Sequence, residues 1–279
     1  MGVVIAGKLA RLDWSGIAQL LPADPAFWLA FAAFYLINPV GDWMIFRRLW
    51  RVGPSGFFAL MRKQVYNELV LGYLGEAHFY AWAKRHIGAR QHAGASVFGV
   101  VKDVALLSAL AGNLFTIILM VVMWPQLSEV LSGGGLGDVL LSLGVVLGLS
   151  AVVLALRGKV FSLGLRTNAI TFAVHFARTI LKTGLGALIW HLMLPEVALG
   201  WWLVAATLRQ MVMRLPLVSN KDLLFAGLAV LTLGDQPQIA GTMALTAALL
   251  MVTHVIVGVA LLRGEVGEVW RLVRGQQPS

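Results

Sequence analysis

The sequence predicts an all-α, polytopic integral membrane protein built as a bundle of transmembrane helices. Of its 279 residues, 59% are hydrophobic and only 13% are charged, whereas a soluble domain is about 45–50% apolar and about 25% charged. The mean hydropathy is +0.81. Apolar stretches of about 20 residues, the length that crosses a bilayer, recur along the chain and leave no room between them for a soluble domain.

The N-terminal residues 1–24 are predicted to form an amphipathic interfacial segment. Lys8, Arg11 and Asp13 interrupt the apolar residues there, and no signal-peptide core precedes Pro22. Residues 25–265 are predicted to form a single transmembrane domain, followed by a cytoplasmic tail over 266–279.

About six full spans are predicted from the apolar stretches. They are 25–46, 97–123, 136–156, 168–194, the shorter 197–213, and 238–262. The loops 124–135, 195–200 and 234–238 contain no Lys or Arg, whereas the loop after 156 and the C-terminal tail are basic. Because positive loops stay in the cytoplasm, the C-terminus is predicted to be cytoplasmic. The net charge of +9 is attributed to Lys and Arg residues in cytoplasmic loops. Nucleic-acid binding is not suggested, because no soluble module with a basic face is visible.

Two interrupted elements stand between the full spans, one in each half of the chain. Polar side chains interrupt residues 57–83. Both ends of this segment must lie on the cytoplasmic side of the membrane, where the basic loops are, so it is predicted to enter and leave the membrane there as a re-entrant hairpin. Residues 223–233 are too short to span and follow a break at Arg214-Leu215-Pro216. Broken backbone at membrane depth is tolerated where it lines a cavity, so the pair points to a transporter site. An interfacial helix and a Pro-kinked span remain the alternatives.

Polar and charged residues inside these segments are the candidate substrate-binding residues, because a charged side chain costs at least about 2.5–3.5 kcal/mol in the bilayer. They are Arg62, Asn67, Glu68 and Glu76 in the hairpin, Arg178 and Lys182 in the 168–194 span, and Arg209, Arg214 and Lys221 around the break. The alternatives are a structural ion-pair network, snorkelling side chains and an ordinary basic loop.

Arg178 and Lys182 share one helical face and should have an anionic partner, either Glu76 or a lipid phosphate. Asn38 and Asp42 are predicted to cap or pair locally, and His191 and His254 are predicted to be packed or interfacial. The sequence has no cysteine and shows no metal-ligand spacing, and the glycines at 133–135 lack the Lys-Ser/Thr of a phosphate-binding loop. Neither a cofactor nor a catalytic site is expected.

Several segments carry a family resemblance. Residues 34–50 read FYLINPVGDWMIFRRLW, 67–76 read NELVLGYLGE, 84–88 read KRHIG, 101–107 read VKDVALL, and 214–216 read RLP. Over roughly residues 25–265 their order resembles the transmembrane flippase region of the lysylphosphatidylglycerol synthase family, as a member without the synthetase domain.

The resemblance rests on some matched positions and breaks at others. Asn67, Gly75 and Glu76 match the family's hairpin motif, and Pro216 matches its late turn. Phe79 stands where the family usually has an Arg, three residues after the acidic residue of the hairpin motif. The Gly-rich run after the late turn is replaced by residues 219–223, and an Arg-x-x-Asp pair by the adjacent Lys102-Asp103.

The resemblance implies a lipid flippase of the bacterial cytoplasmic membrane that moves an anionic phospholipid or a lipid-linked headgroup between leaflets. Membrane lipids, including polyprenyl lipids or glycolipids, would be its partners. The alternative is a non-transporting membrane partner of a lipid or polysaccharide biosynthetic enzyme. A membrane transferase is a third interpretation that lacks an acid–base pair. A homodimer remains open.

Overall fold

The computed structural model describes residues 22–87, 95–131, 144, 148, 150–214, 221–232 and 237–273. Within these residues the chain forms helices and no strand, which confirms the all-α fold class. The helices are α1 (Pro25–Trp50), α2 (Pro54–Leu69), α3 (Leu74–His86), α4 (Val97–Val122), α5 (Trp124–Leu131), α6 (Arg157–Val160), α7 (Leu165–Met193), α8 (Leu199–Met213), α9 (Lys221–Thr232) and α10 (Pro237–Val273).

Four of the described helices are long and apolar enough to cross a membrane, which indicates a multi-pass membrane protein. They are α1, α4, α7 and the Gln238–Leu262 part of α10, with mean hydropathies of 1.4, 2.3, 1.2 and 2.4. Each coincides with a predicted span. The predicted number of six is not reached in the described residues. Most of 136–156 lies outside them, and α8, with 15 residues, is only about 22 Å long against a hydrocarbon core of about 30 Å.

The ends of the helices follow local chemistry. Asp24 caps α1 by accepting a hydrogen bond from the backbone N–H of Ala26 at 2.8 Å, and a proline follows at the first helical position. Arg51, in the left-handed conformation at φ 54°, ends α1. Ser96 caps α4 by accepting from the N–H of Gly99 at 3.1 Å.

Helices α2 and α3 form a tight hairpin over the interrupted element 57–83. The side chain of Asn67 accepts a hydrogen bond from the N–H of Gly75 at 2.7 Å and so ties the end of α2 to the start of α3. A Cβ at Gly75 would collide with the backbone carbonyl of Lys63 and would lie 2.7 Å from Asn67 Oδ1. The two helices can approach this closely only because residue 75 is glycine.

Helix α7 occupies the middle of the bundle and packs against α1, α4 and α8, while α10 packs against α2 and α9. The hairpin is held to α1 by an aromatic cluster in which the ring centroids of Phe46 and Phe79 lie 4.5 Å apart. Helix α10 continues without a break to Val273, through the start of the predicted cytoplasmic tail. The interfacial helix predicted for residues 1–24 lies almost entirely outside the described residues.

Candidate functional site

A polar cavity of about 260 Å³ lies between the hairpin and the central helices. Its wall is formed by α1, α2, the α2–α3 turn and α3 on one side and by α7, α8 and the start of α9 on the other, with Ser108 of α4 between them. The hairpin and the residues that flank the second break, Arg214 and Lys221, therefore contribute to the same cavity. Its polar and charged lining includes Asn38, Asp42, Lys63, Gln64, Asn67, Glu68, Tyr73, Glu76, Ser108, Arg178, Lys182, Arg209, Gln210, Arg214 and Lys221.

One side of the cavity is a closed ion-pair network centred on Asp42, which we call the paired network. Lys63 Nζ lies 2.8 Å from Asp42 Oδ2 and 3.3 Å from Glu76 Oε1, and the guanidinium of Arg178 pairs with Asp42 Oδ1. Arg178 also donates to Ser108 Oγ at 3.0 Å and to the carbonyl of Asn38 at 3.3 Å. Two cations face two carboxylates, and the network joins α1, α2, α3, α4 and α7.

The ammonium of Lys63 is stabilised by this arrangement. Burial by itself would lower the pKa of Lys63, but the carboxylates of Asp42 and Glu76 outweigh that effect and raise the pKa above its ordinary value. The fold therefore favours the charged form of Lys63 in the network.

A second ion pair joins the two short helices. Arg209 of α8 lies 2.6 Å from Asp222 Oδ1 near the start of α9. The guanidinium carbon of Arg209 also lies 5.2 Å from the ring centroid of Phe34 on α1. Next to it, Gln210 donates to Thr183 Oγ1 of α7 at 2.5 Å. These contacts anchor α8 and α9 to the central helices.

Three further cations lie at the cavity without a described carboxylate partner, and we call them the unpaired cations. The ammonium of Lys182 lies 4.9 Å from the ring of Phe34, Arg214 donates weakly to Gln210 at 3.4 Å, and Lys221 donates to the carbonyl of Met213 at 3.0 Å. Residues 215–220, which connect α8 to α9 outside the described residues, contain no acidic side chain that could neutralise them.

Glu68 is the carboxylate that accompanies the unpaired cations. Burial raises the pKa of the Glu68 carboxyl, and the nearby carboxylate of Asp222 adds to the rise, while Lys182, Arg209 and Lys221 oppose it. In the described residues Glu68 makes no ion pair within 4.0 Å. It therefore compensates the unpaired cations only weakly.

The described charges of the site do not balance. Six cations are present, namely Lys63, Arg178, Lys182, Arg209, Arg214 and Lys221. Four carboxylates oppose them, namely Asp42, Glu68 and Glu76 on the wall and Asp222 in the pair with Arg209. Cations thus exceed carboxylates by two. An excess of like charge away from bulk water is unfavourable until a counter-charge enters, so the cavity is chemically suited to an anion.

The structure brings eight of the nine predicted site residues to this cavity. They are Asn67, Glu68, Glu76, Arg178, Lys182, Arg209, Arg214 and Lys221. Arg62 is not among the residues that line the cavity, and its guanidinium donates to the carbonyl of Leu261 on α10 at 3.1 Å. Arg62 thus ties the hairpin to the last helix.

The sequence reasoning misjudges Asp42 and omits Lys63. Local capping or pairing is predicted for Asp42, yet its partners Lys63 and Arg178 are 21 and 136 residues away in sequence. Of the two anionic partners expected for Arg178 and Lys182, Glu76 pairs with Lys63 instead, and Arg178 pairs with Asp42. A signal is present in the sequence, because a carboxylate within the first span needs a cationic partner from another helix.

Other polar residues singled out from the sequence have structural roles. Asp103 is buried and accepts hydrogen bonds from the backbone N–H groups of Ser162 and Leu163 at 2.7 and 2.8 Å, which fixes the segment before α7. His254 is buried and hydrogen-bonds to the hydroxyl of Tyr35 at 3.1 Å, which confirms its predicted packing role.

No protein-family model, curated protein or solved structure matches this chain. The resemblance to the flippase region of the lysylphosphatidylglycerol synthase family therefore stays a prediction, and the function is argued from the cavity.

Proposed function

We propose that this protein is a flippase-like lipid transporter that carries an anionic headgroup across the membrane through the cavity. One observation supports it above all. A bundle with four apolar candidate spans encloses a cavity whose described cations exceed its carboxylates by two. A structural ion-pair cluster would be expected to balance its own charges, because an unmatched buried charge is costly.

The proposed topology follows the charges of the loops. The α2–α3 hairpin enters and leaves the membrane from the cytoplasmic side, and about six full spans surround it when residues 136–156 and α8 are counted. The C-terminus lies in the cytoplasm of a bacterial cell, as the basic loops predict. In this arrangement the cavity faces the lipid phase between the hairpin and the α8–α9 pair.

The chemistry of transport follows from the charge of the cavity. A phosphate in the bilayer core carries a large desolvation cost, and the cations of the cavity offset it while the acyl chains remain in lipid. The paired network keeps the hairpin closed against α1 and α7 during the passage. The sequence shows no nucleotide-binding motif, so the driving force is an ion gradient or the downhill flux of the lipid.

The test is lipid scrambling in proteoliposomes that contain trace fluorescent lipids of several headgroup classes. A membrane-impermeant reductant bleaches only the outer leaflet unless the protein moves lipid between leaflets. Wild-type protein should make both leaflets accessible for an anionic lipid. The Lys182→Gln, Arg214→Gln double variant should slow this about tenfold or more, since a hydrogen bond to a charged group contributes about 1.5–3 kcal/mol.

The matched control is Lys84→Gln, because Lys84 is an exposed lysine on α3 outside the cavity. It should transport like wild type. If no labelled lipid of any headgroup class crosses with wild-type protein, the transport proposal is wrong.

The second candidate is a non-transporting partner of a lipid or polysaccharide biosynthetic enzyme. It is favoured by the ion pair of Arg209 with Asp222 at 2.6 Å, since an internally neutralised arginine also suits an immobile scaffold. Co-purification of such an enzyme, together with the absence of scrambling, would favour this alternative over transport.

A further inference from the structure

The positive excess of the cavity is confined to one end of it. Lys182 comes from α7, Arg214 follows α8, and Lys221 begins α9. Glu68 interacts electrostatically with both lysines, and Lys221 with Arg214. Lys221 also interacts with Glu76, and Lys182 with Asp222, but these two carboxylates already pair with Lys63 and Arg209. Elsewhere in the described cavity every cation has a carboxylate partner, in the paired network or in the pair of Arg209 with Asp222.

The size of the local excess sets the charge of the ligand. Among the described carboxylates that interact with the three unpaired cations, Glu68 is the one that makes no ion pair within 4.0 Å, so the group of these four side chains carries two uncompensated positive charges. A ligand with one negative charge would leave one cation unmatched in a region of low dielectric, whereas a ligand with two would neutralise the group. Coulomb energy therefore favours a doubly charged ligand at this position.

We infer that the unpaired cations bind a headgroup with two negative charges on phosphate, that is, a lipid phosphomonoester or diphosphate, in preference to a singly charged phosphodiester. The inference rests on the proposed function for the lipid nature of the ligand and adds the class of headgroup. Monoester phosphates carry a charge near −2 above their second pKa of about 6.

The donors of the group suit such a ligand. A guanidinium binds two phosphate oxygens at once, and a lysine ammonium acts as a compact point charge. Gln210 and Asn67 line the same cavity and offer neutral donors to further oxygens. The volume of about 260 Å³ admits a phosphate with a small substituent but falls below the roughly 300–1,000 Å³ of sites for larger ligands.

The experiment compares phosphatidic acid with phosphatidylglycerol in the scrambling assay at pH 8, with identical acyl chains and fluorophores. Phosphatidic acid should cross about tenfold faster with wild-type protein. Lys221→Gln should remove most of this preference, and Lys221→Arg, which keeps the charge, should retain it. Lys84→Gln again serves as the control, and size-exclusion chromatography of each variant checks the fold.

Each remaining outcome decides the inference. Equal rates for the two lipids, or faster phosphatidylglycerol, would overturn the double charge while leaving the transport proposal standing. No movement of either lipid would overturn the inference, and the transport proposal falls with it only if no other headgroup class crosses. Competition by inorganic phosphate that depends on Lys221 would support a dianion site, and saturable binding of phosphate without any lipid movement would show that the ligand is free phosphate and not a lipid.

Discussion

The two ends of the cavity accommodate buried charge in opposite ways. At the hairpin end, Asp42 holds Lys63 and Arg178, and Glu76 holds Lys63 from the other side. At the α8–α9 end, Lys182, Arg214 and Lys221 have no described carboxylate within 4.0 Å. Charged residues of one cavity can therefore have different roles. Those of the neutral end hold helices together, and those of the cationic end are available to a counter-charge.

The largest effect should come from breaking the neutral end. Asp42→Asn leaves Lys63 and Arg178 buried without their shared carboxylate, and removing one partner of a buried ion pair costs about 3–5 kcal/mol. We expect a loss of that size in the free energy of unfolding, measured by SDS titration in mixed micelles. Asp24→Asn is the control, because Asp24 is an exposed cap that asparagine also provides. An Asp42→Asn protein as stable as wild type would contradict the structural role.

A substitution at the contact between α2 and α3 should destabilise the hairpin, which carries part of the paired network. Gly75→Ala places a methyl group against the carbonyl of Lys63 and the side chain of Asn67, and overpacking of this kind costs about 1–3 kcal/mol. The expected result is that loss in the same unfolding titration, together with slower lipid scrambling. Gly200→Ala is the matched substitution, since Gly200 is the second residue of α8, as Gly75 is of α3, and no atom lies within 4 Å of a Cβ built there. Equal stability of the two variants would show that the close approach is unimportant.

Neutralising the cationic end should change transport more than stability. In Lys182→Gln no carboxylate is deprived of a partner within 4.0 Å, and the ammonium no longer interacts with the ring of Phe34, an interaction worth about 1 kcal/mol. We expect the free energy of unfolding without lipid to change by about 1 kcal/mol or less, while transport of the anionic lipid falls about tenfold. A decrease in stability as large as that of Asp42→Asn would place Lys182 in the structural network instead.

The smallest effect concerns pH. Burial raises the pKa of Glu68 in the folded state, so the folded protein binds this proton more tightly than the unfolded chain does. The stabilising effect of that protonation is present at low pH and declines as the pH rises from the ordinary glutamate pKa through the raised one. Wild-type stability should therefore fall across this window, and Glu68→Gln, which does not titrate, should fall less. Identical pH profiles for both proteins would remove Glu68 from the charge balance of the cavity.

Neighbouring residues of the hairpin show where sequence reasoning ends. Arg62 and Lys63 differ by one position, so their side chains point about 100° apart around α2. Lys63 enters the cavity, and Arg62 reaches the backbone of α10 at Leu261. The sequence shows that both cations lie in one polar element, but which of them faces the interior depends on how the hairpin is rotated against its neighbours.

The helical membrane class, the position of four apolar helices, the interrupted element at 57–83 and seven of the nine charged residues that line the cavity follow from the sequence alone. They do so because the cost of exposing polar groups to lipid acts on each segment separately. Which charges are paired depends on the packing of the helices. Arg178 and Asp42 meet across 136 residues because α1 and α7 pack side by side, and the excess of two cations is visible only once the partners of each charge are known.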